Sequence, residues 1–299
     1  TIDKAKESTD KIVTIDGWLY NMRSSGKILF MIVRDGTGFI QCIVMKTQIG
    51  EERFAELKHL SQESSLSVTG LIREDKRSPW GYEMDVQDVI VHHEIKEEYP
   101  IQLKEHGVGF LSQYRHLWIR TPSQRAVLKI RAEVIQGTRD FLNENGFVNF
   151  DSPILTGSAP EGTTSLFELD YFDEKAYLSQ SGQLYQEAGA MAFGRVYCLG
   201  PTFRAEKSKT RRHLTEFWMV EPEMAYCDMK ESLQIQEGMV EYLVKRVLTN
   251  CSNELKTLKR DISKLEKIKT PFPRVTYKEI LELLNKNDRE KNGETILLV

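Results

Sequence analysis

The chain contains 299 residues with a formal net charge of −3, of which 40% are apolar and 28% are charged. This length exceeds what one small domain needs and is sufficient for two hydrophobic cores. The near-neutral charge does not indicate nucleic-acid binding, and it does not exclude it because a local basic groove is sufficient. The four cysteines form no CxxC pair, which argues against a zinc site and a disulfide scaffold.

Membrane and export signals are missing from the amino-acid pattern. No apolar run approaches transmembrane length, and the first residues do not form a signal-peptide core. We therefore expect a soluble cytoplasmic protein with free thiols and no contact with a membrane.

Residues 1–98 are rich in segments that alternate between apolar and polar positions, which predicts β-strands. Turn-forming residues separate five such segments, and a helical segment at 50–60 falls between the third and the fourth. The five segments cover 13–23, 28–33, 39–45, 66–72 and 84–91. Five strands with a helix after the third is the layout of an OB-fold, a β-barrel whose strand face binds oligonucleotides. Arg23, Phe30 and Gln41 are candidate contacts, although a Phe in an apolar strand is more often a core residue.

A polar hinge at 99–120 precedes a second predicted domain at 121–299. Thr121 and Pro122 form a helix start, and apolar residues from 127 to 142 recur with helical spacing. A strand is predicted at 147–155 although it contains Pro153. Further helices are predicted at 228–250 and 254–267, and Thr276 with Glu279 forms a capping box before a last helix.

The stretch 200–225 predicts a strand, a basic loop and a returning strand. Arg204 and Glu206 lie at the exit of the first strand, and residues 211–213 place two arginines and a histidine in the loop. This arrangement suits a nucleoside triphosphate, because the planar guanidinium binds phosphate oxygens in pairs. The alternative is a solvated charged loop between two strands.

Three runs of this stretch resemble motif 2 of the class II aminoacyl-tRNA synthetases, in their aspartyl/asparaginyl branch. They are Thr202-Phe-Arg-Ala-Glu206, Arg212-His-Leu-Thr-Glu-Phe217 and Val220-Glu-Pro-Glu-Met-Ala225. Residues 124–155 are similar to motif 1, with Pro153 at its proline, and the N-terminal module looks like the family's anticodon-binding domain. The resemblance implies an α+β protein, with an OB-fold barrel followed by a class II antiparallel-sheet catalytic domain. It also implies a homodimer formed through the motif 1 region.

The resemblance implies that motif 2 binds ATP, with Mg²⁺ as its companion. Arg204, the catalytic residue, would contact the α-phosphate and the substrate carboxylate, and Glu206 the adenine end. Arg212 and His213 would meet the β- and γ-phosphates, and Phe217 would stack on adenine. In the barrel, the resemblance implies that Phe30 stacks on the middle anticodon base and that Gln41 contacts it, while Arg23 holds a phosphate.

For the amino acid, the resemblance implies that Glu161, in a loop at 157–165, receives the α-ammonium group. Ser181 and Gln183 would lie around the same group, and Glu221 would line the side-chain pocket. No residue is assigned as a metal ligand.

Two substitutions bear on which amino acid is bound. Gln186 and Glu187 stand where the aspartyl enzymes carry Lys and Gln. A buried Glu187 would repel aspartate and would accept a hydrogen bond from the NH2 group of asparagine. The implied function is the ATP-dependent activation of asparagine and its transfer to tRNA(Asn).

The sequence also departs from the family. The Gly-rich third motif, whose Arg holds the γ-phosphate, and the acidic stretch before it have no counterpart here. We therefore expect an incomplete C-terminal part of the catalytic domain and little catalysis by this chain alone. Three alternatives stay open: an aspartyl-tRNA synthetase, including a non-discriminating one; a synthetase-like asparagine synthetase; and a non-catalytic tRNA-binding or regulatory module.

Overall fold

The computed structural model describes residues 1–157, 166–207, 210 and 213–292, with side chains in the last helix as far as residue 286. The chain divides into two compact units, Thr1–Trp118 and Ile119–Val299. Within the described ranges, no helix is both long enough and apolar enough to cross a membrane.

The first unit is a closed five-stranded barrel in which the strands follow one another in the order β1-β2-β3-β5-β4. All five predicted strands are present, so the OB-fold prediction is confirmed. The elements are a 3-10 helix at Ile2–Ser8, β1 (Ile12–Ser25), β2 (Ile28–Arg34), β3 (Phe39–Met45), α1 (Lys46–Ile49), α2 (Glu51–Lys58), β4 (Ser65–Glu74), β5 (Tyr82–His93), α3 (Val108–Gln113) and α4 (Arg115–Trp118).

The barrel core follows from the two-residue period of a strand. Leu29, Met31 and Val33 of β2 are fully buried, whereas Phe30 and the residue two positions later are half-buried on the outer face. Ile2 of the 3-10 helix also belongs to this core. The N-terminal segment is thereby attached to the barrel.

The second unit contains two small three-stranded sheets and a layer of helices. One sheet has the order β11-β10-β6 and the other the order β7-β9-β8. The strands β10 and β11 are antiparallel, and β6 runs parallel to β10. The elements are α5 (Pro122–Glu144), β6 (Val148–Asn149), β7 (Leu155–Thr156), β8 (Glu168–Tyr171), β9 (Glu174–Leu178), α6 (Gln183–Phe193), β10 (Arg195–Phe203), β11 (Glu216–Met224), α7 (Met229–Asn250), α8 (Ser252–Thr257) and α9 (Tyr277–Asn292).

The two faces of the β10–β11 ribbon have different partners. Tyr197 and Leu199 of β10 pack in one cluster with Phe141 and Leu142 of α5, and Val220 of β11 packs against it. Arg246 of α7 reinforces this layer, since its Nη1 donates to Asp140 Oδ2 of α5 at 2.7 Å. The alternate residues of both strands therefore face the other way, where α6 packs.

Two predicted elements are wrong. The strand predicted at 147–155 is interrupted, because β6 ends at Asn149 and Pro153 has no N–H to donate to a ladder. The helix predicted at 254–267 ends at Thr257. Lys259 adopts a φ of 51°, and the N–H of the next residue donates to Leu255 O at 3.0 Å, which is the hydrogen bond of a Schellman-type helix end.

Other boundaries agree with the sequence. The strand–loop–strand prediction is confirmed by β10 and β11, and α5 begins after Thr121 with Pro122 in its first turn. Asp228 caps α7 by accepting from Glu231 N at 2.8 Å. The predicted capping box forms, because Thr276 N donates to Glu279 Oε2 at 2.6 Å and Glu279 N donates to Thr276 Oγ1 at 3.3 Å.

Candidate active site

The centre of the site is Glu221 of β11, which is bound by the residues at the start of α6. Ser181 Oγ donates to its carboxylate, and Gly182 N lies 3.0 and 3.2 Å from its two oxygens. The cross-strand partner Cys198 places its Sγ 3.9 Å from Glu221 Oε1. Burial, together with the charge of Glu221, raises the pKa of the Cys198 thiol to about 11. The carboxylate is therefore positioned by neutral donors.

Gly182 is required by close packing and not by an unusual backbone. A Cβ placed on it would lie 2.6 Å from Cys198 Sγ and 2.7 Å from Ser152 Oγ, below the distance that real Cβ atoms adopt. Its absence lets the first turn of α6 lie directly on β10, so that the N–H of Gly182 reaches Glu221.

Three carboxylates surround this centre. Glu187 of α6 accepts from Gln183 Nε2 at 2.8 Å, one turn earlier on the helix. Glu223 follows Glu221 on the same face of β11, because side chains two positions apart share a face. Burial raises the pKa of Glu223, and the negative charges of Glu187 and Glu221 raise it further. The sequence analysis missed Glu223, although the period of two along the predicted strand was the signal that could have identified it.

The expected burial of Glu187 is wrong. Its side chain is exposed, and so is that of Gln183. The buried residues of α6 are Gln186, Gly189 and Ala190, which lie at positions i, i+3 and i+4 of the helix face that packs on the sheet. Glu187 follows Gln186 by about 100° around the helix and so lies beside that face.

Arg204 and Phe217 come together at the other end of the ribbon. The guanidinium carbon of Arg204 lies 5.6 Å from the centre of the Phe217 ring, and the backbone N–H of Arg204 donates to Thr215 O at 2.9 Å. The Nε of Arg204 is buried without a hydrogen-bond partner among the described residues. A buried donor that has no protein partner is suited to an anionic ligand.

The remaining motif 2 candidates lie in the connection between β10 and β11. Glu206 and His213 are exposed, and His213 Nδ1 contacts Thr210 Oγ1. Arg212 and Glu161 lie outside the described residues.

The three barrel candidates lie on the outer face of β1, β2 and β3. The guanidinium carbon of Arg23 is 4.4 Å from the centre of the Phe30 ring, and these two residues are cross-strand partners. Gln41 Nε2 donates to Glu83 Oε2 at 3.2 Å. Glu83 was not predicted, because the parallel pairing of β3 with β5 that brings it to Gln41 is a non-local contact.

A metal site is not apparent in this part of the molecule. Among the residues that the structure describes, no three or more His, Cys, Asp or Glu side chains are grouped so that they could hold a metal ion. The chain's described side chains therefore provide no cage for Mg²⁺.

Comparison with known families agrees with the geometry. Residues 108–297 match the family model of class II tRNA synthetases (D, K and N). The chain belongs to the class II aminoacyl-tRNA synthetases. Residues 13–91 match the OB-fold nucleic acid binding domain found in this synthetase chain's barrel. The family prediction made from the motif 2 runs is thereby confirmed.

Solved synthetase structures are similar over nearly the whole chain. Asparaginyl-tRNA synthetase from Pyrococcus horikoshii, complexed with asparaginyl-adenylate, is 40% identical with a TM-score of 0.87, over 94% of this chain and 65% of that chain. Asparaginyl-tRNA synthetase from Entamoeba histolytica, also complexed with asparaginyl-adenylate, is 28% identical with a TM-score of 0.81, over 96% and 66%. Aspartyl-tRNA synthetase from the same organism is 26% identical with a TM-score of 0.79, over 99% and 64%. The chain thus spans about 65% of the length of the first of these synthetases.

The packing at Gly182 predicts a position-specific effect of one methyl group. Gly182→Ala should lower the free energy of unfolding of the catalytic unit by about 1–3 kcal/mol, because the added Cβ overlaps Cys198 Sγ and Ser152 Oγ. Urea unfolding followed by circular dichroism measures it. Gly200→Ala is the matched control, since a Cβ there meets nothing within 4 Å. Equal stability of the two variants would contradict the close packing.

The raised pKa of Glu223 predicts how stability depends on pH. Above this raised pKa, ionised Glu223 lowers the stability of the fold, so Glu223→Gln should be more stable than the unmodified chain at neutral pH. The difference should shrink as the pH falls through the raised pKa and should vanish below the ordinary range of glutamate, where the side chain is neutral in both states. Thermal unfolding between acid and neutral pH measures it. Glu216→Gln, at an exposed position of the same strand, should show no such trend.

Proposed function

We propose that this chain belongs to an enzyme that activates asparagine with ATP and transfers it to tRNA(Asn). The observation that carries the proposal is the set of three carboxylates, with Glu187 of α6 beside Glu221 and Glu223 of β11. Because the chain spans about 65% of the similar asparaginyl-tRNA synthetase, the activity is proposed for the protein that carries it.

The amino-acid pocket is proposed between α6 and β11. Glu187 accepts a hydrogen bond from the side-chain NH2 of asparagine, while Glu221 lines the pocket. Ser181, Gln183 and Glu161 surround the α-ammonium group. An aspartate side chain in this pocket would add a fourth negative charge and could donate no hydrogen bond at neutral pH. The carboxylates thus favour the amide over the acid.

ATP is proposed to lie at the Arg204 end of the ribbon. The unpartnered Nε of Arg204 supports its contact with the α-phosphate, and the adjacent ring supports stacking of adenine on Phe217. Glu206 at the adenine end, and Arg212 with His213 at the β- and γ-phosphates, extend this assignment. All five belong to the connection or to the strands that flank it.

The proposed chemistry needs positioning and charge neutralisation and no covalent enzyme intermediate. The carboxylate of asparagine attacks the α-phosphorus in line, and pyrophosphate leaves. Arg204 contacts the carboxylate and the α-phosphate, which brings the reacting atoms together and reduces their repulsion. A hydroxyl of the terminal adenosine of tRNA then attacks the adenylate carbonyl. Mg²⁺ would enter with ATP, and no step is derived through it because the described residues provide no cage.

The OB-fold barrel is proposed to bind the anticodon of tRNA(Asn). Phe30 offers a ring on the outer face, Gln41 an amide beside it, and Arg23 a cation for a phosphate. We also propose a homodimer through the motif 1 region and a cytoplasmic location, where tRNA is charged.

Aspartate is the second candidate substrate, because the aspartyl-tRNA synthetase from Entamoeba histolytica is also similar over 99% of this chain. Its rank is lower, since the chain carries Gln186 and Glu187 where the aspartyl motif has Lys and Gln. Both candidates predict ATP–pyrophosphate exchange, and only the amino acid that it requires distinguishes them.

Glu187→Gln tests the proposed specificity in the protein that carries this chain. The value of kcat/KM for asparagine in ATP–pyrophosphate exchange should fall by about 10- to 100-fold, because a hydrogen bond to a charged acceptor is lost. Activity with aspartate should fall less or should rise. Glu144→Gln makes the same chemical change at an exposed end of α5 and should leave both values unchanged.

The unmodified protein decides the function itself. Exchange that requires asparagine supports the proposal, whereas exchange that requires aspartate makes this an aspartyl enzyme. A folded protein that exchanges with neither, but still binds tRNA, would be a non-catalytic module.

Phe30→Leu tests the anticodon assignment. It retains apolar bulk on the barrel and removes the ring, so the Kd for tRNA(Asn) should rise by about 5- to 150-fold if one base stacks there. Filter binding at a fixed salt concentration measures it. Ile32→Leu, two residues along the same outer face, is the control. Equal Kd values for the two variants would remove Phe30 from the interface.

A further inference from the structure

Gln186 is the most completely enclosed polar side chain of the candidate site, with 0% of it exposed. Its Nε2 donates to Phe150 O at 2.5 Å and to Ser152 Oγ at 3.1 Å. Its Oε1 is buried and has no hydrogen-bond partner among the described residues. Since a buried acceptor without a partner costs folding free energy, this oxygen calls for a donor that the protein itself does not supply.

The carboxamide of Gln186 lies directly beneath the residues that hold Glu221. Ser152 Oγ, which accepts from Gln186, also lies 3.3 Å from Gly182 O. A Cβ on Gly182 would lie within 2.7 Å of this same oxygen, and the N–H of Gly182 donates to Glu221. Two contacts therefore connect Gln186 with the central carboxylate.

The first turn of α6 presents acceptors at two depths. Gln183, Gln186 and Glu187 share one side of the helix at positions i, i+3 and i+4. Gln183 and Glu187 form a hydrogen bond at the exposed level, and Gln186 lies at the buried level. A ligand group between α6 and β11 would pass Glu187 before it reaches Gln186.

The chemistry of the acceptors selects one kind of ligand group. A carboxamide NH2 carries two N–H donors, whereas an ionised carboxylate carries none. Glu187 offers one acceptor, and Oε1 of Gln186 offers another in surroundings made negative by Glu221 and Glu223. An amide would satisfy both acceptors, and a carboxylate would leave both unpaired and add repulsion.

We propose that Oε1 of Gln186 accepts the second N–H of the substrate's side-chain amide and is a specificity determinant of this site. The inference rests on the proposed asparagine-activating function. It gives the fully buried Gln186 a role in contact with the substrate, in addition to the packing role that its Nε2 performs at Phe150 and Ser152.

The test compares asparagine with its methyl-ketone analogue, in which CH3 replaces NH2 and both donors are lost. Binding is measured by inhibition of, or turnover in, ATP–pyrophosphate exchange with the full-length protein. Gln186→Met removes the acceptor and retains the length of the side chain. We expect the preference for asparagine over the ketone to fall by about 2- to 12-fold, the range for one neutral hydrogen bond, while KM for ATP stays unchanged.

Ser152→Ala is the matched control, because it removes one partner of Nε2 and leaves Oε1 in place. It should lower Tm and keep the preference for asparagine over the ketone. If Gln186→Met fails to fold, Gln186→Leu makes the same comparison. The unmodified protein gives an outcome that needs no variant, since equal binding of asparagine and the ketone would overturn the proposal.

The outcomes separate this inference from the proposed function. Exchange that requires aspartate, or no exchange, would refute the proposed function. Exchange that requires asparagine, combined with an unchanged asparagine–ketone preference in Gln186→Met, would refute only the role of Gln186 and leave it a packing residue. A reduced preference in that variant, and not in Ser152→Ala, supports the proposal.

Discussion

The attachment of α6 to β11 through Glu221 is the interaction on which the site depends. The hydroxyl of Ser181 and the N–H of Gly182 fix both carboxylate oxygens, and this is possible only because Gly182 has no side chain. The same attachment sets the position of Gln186 and Glu187 one turn later. A helix held in this way at its first turn can present polar side chains over a sheet without their own contacts having to hold it there.

The two-residue period of the β10–β11 ribbon separates stability from chemistry. One face contributes Tyr197 and Leu199 to the core with α5, and the other contributes Cys198 and Glu221 to the candidate site. Because the two sets alternate along the same strands, the packing of the helices on one side determines the positions of the polar groups on the other. A register shift by one residue would exchange the two sets and abolish both.

Local patterns in the sequence were sufficient for the barrel strands, for α5 and α7, and for the capping box of Thr276, because each depends on neighbours in the chain. They were insufficient where distant segments compete for the same groups. The strand predicted across Pro153 is interrupted, and Phe150 O accepts instead from the side chain of Gln186. The exposure of Glu187 and the contact between Gln41 and Glu83 likewise depend on helix rotation and strand pairing. Motif similarity identified the family, but the depth of each side chain required the fold.

The environment of Cys198 has a consequence for the chemical durability of the site. Reaction with oxidants and alkylating agents proceeds through the thiolate, and a pKa of about 11 leaves on the order of one thiolate in 10⁴ at neutral pH. The sulfur that packs against Gly182 and Glu221 is therefore nearly inert, although a reactive group at this point would be well placed to damage the pocket. A small, soft atom can thus fill the space beneath the helix start without making the site sensitive to redox conditions in the cell.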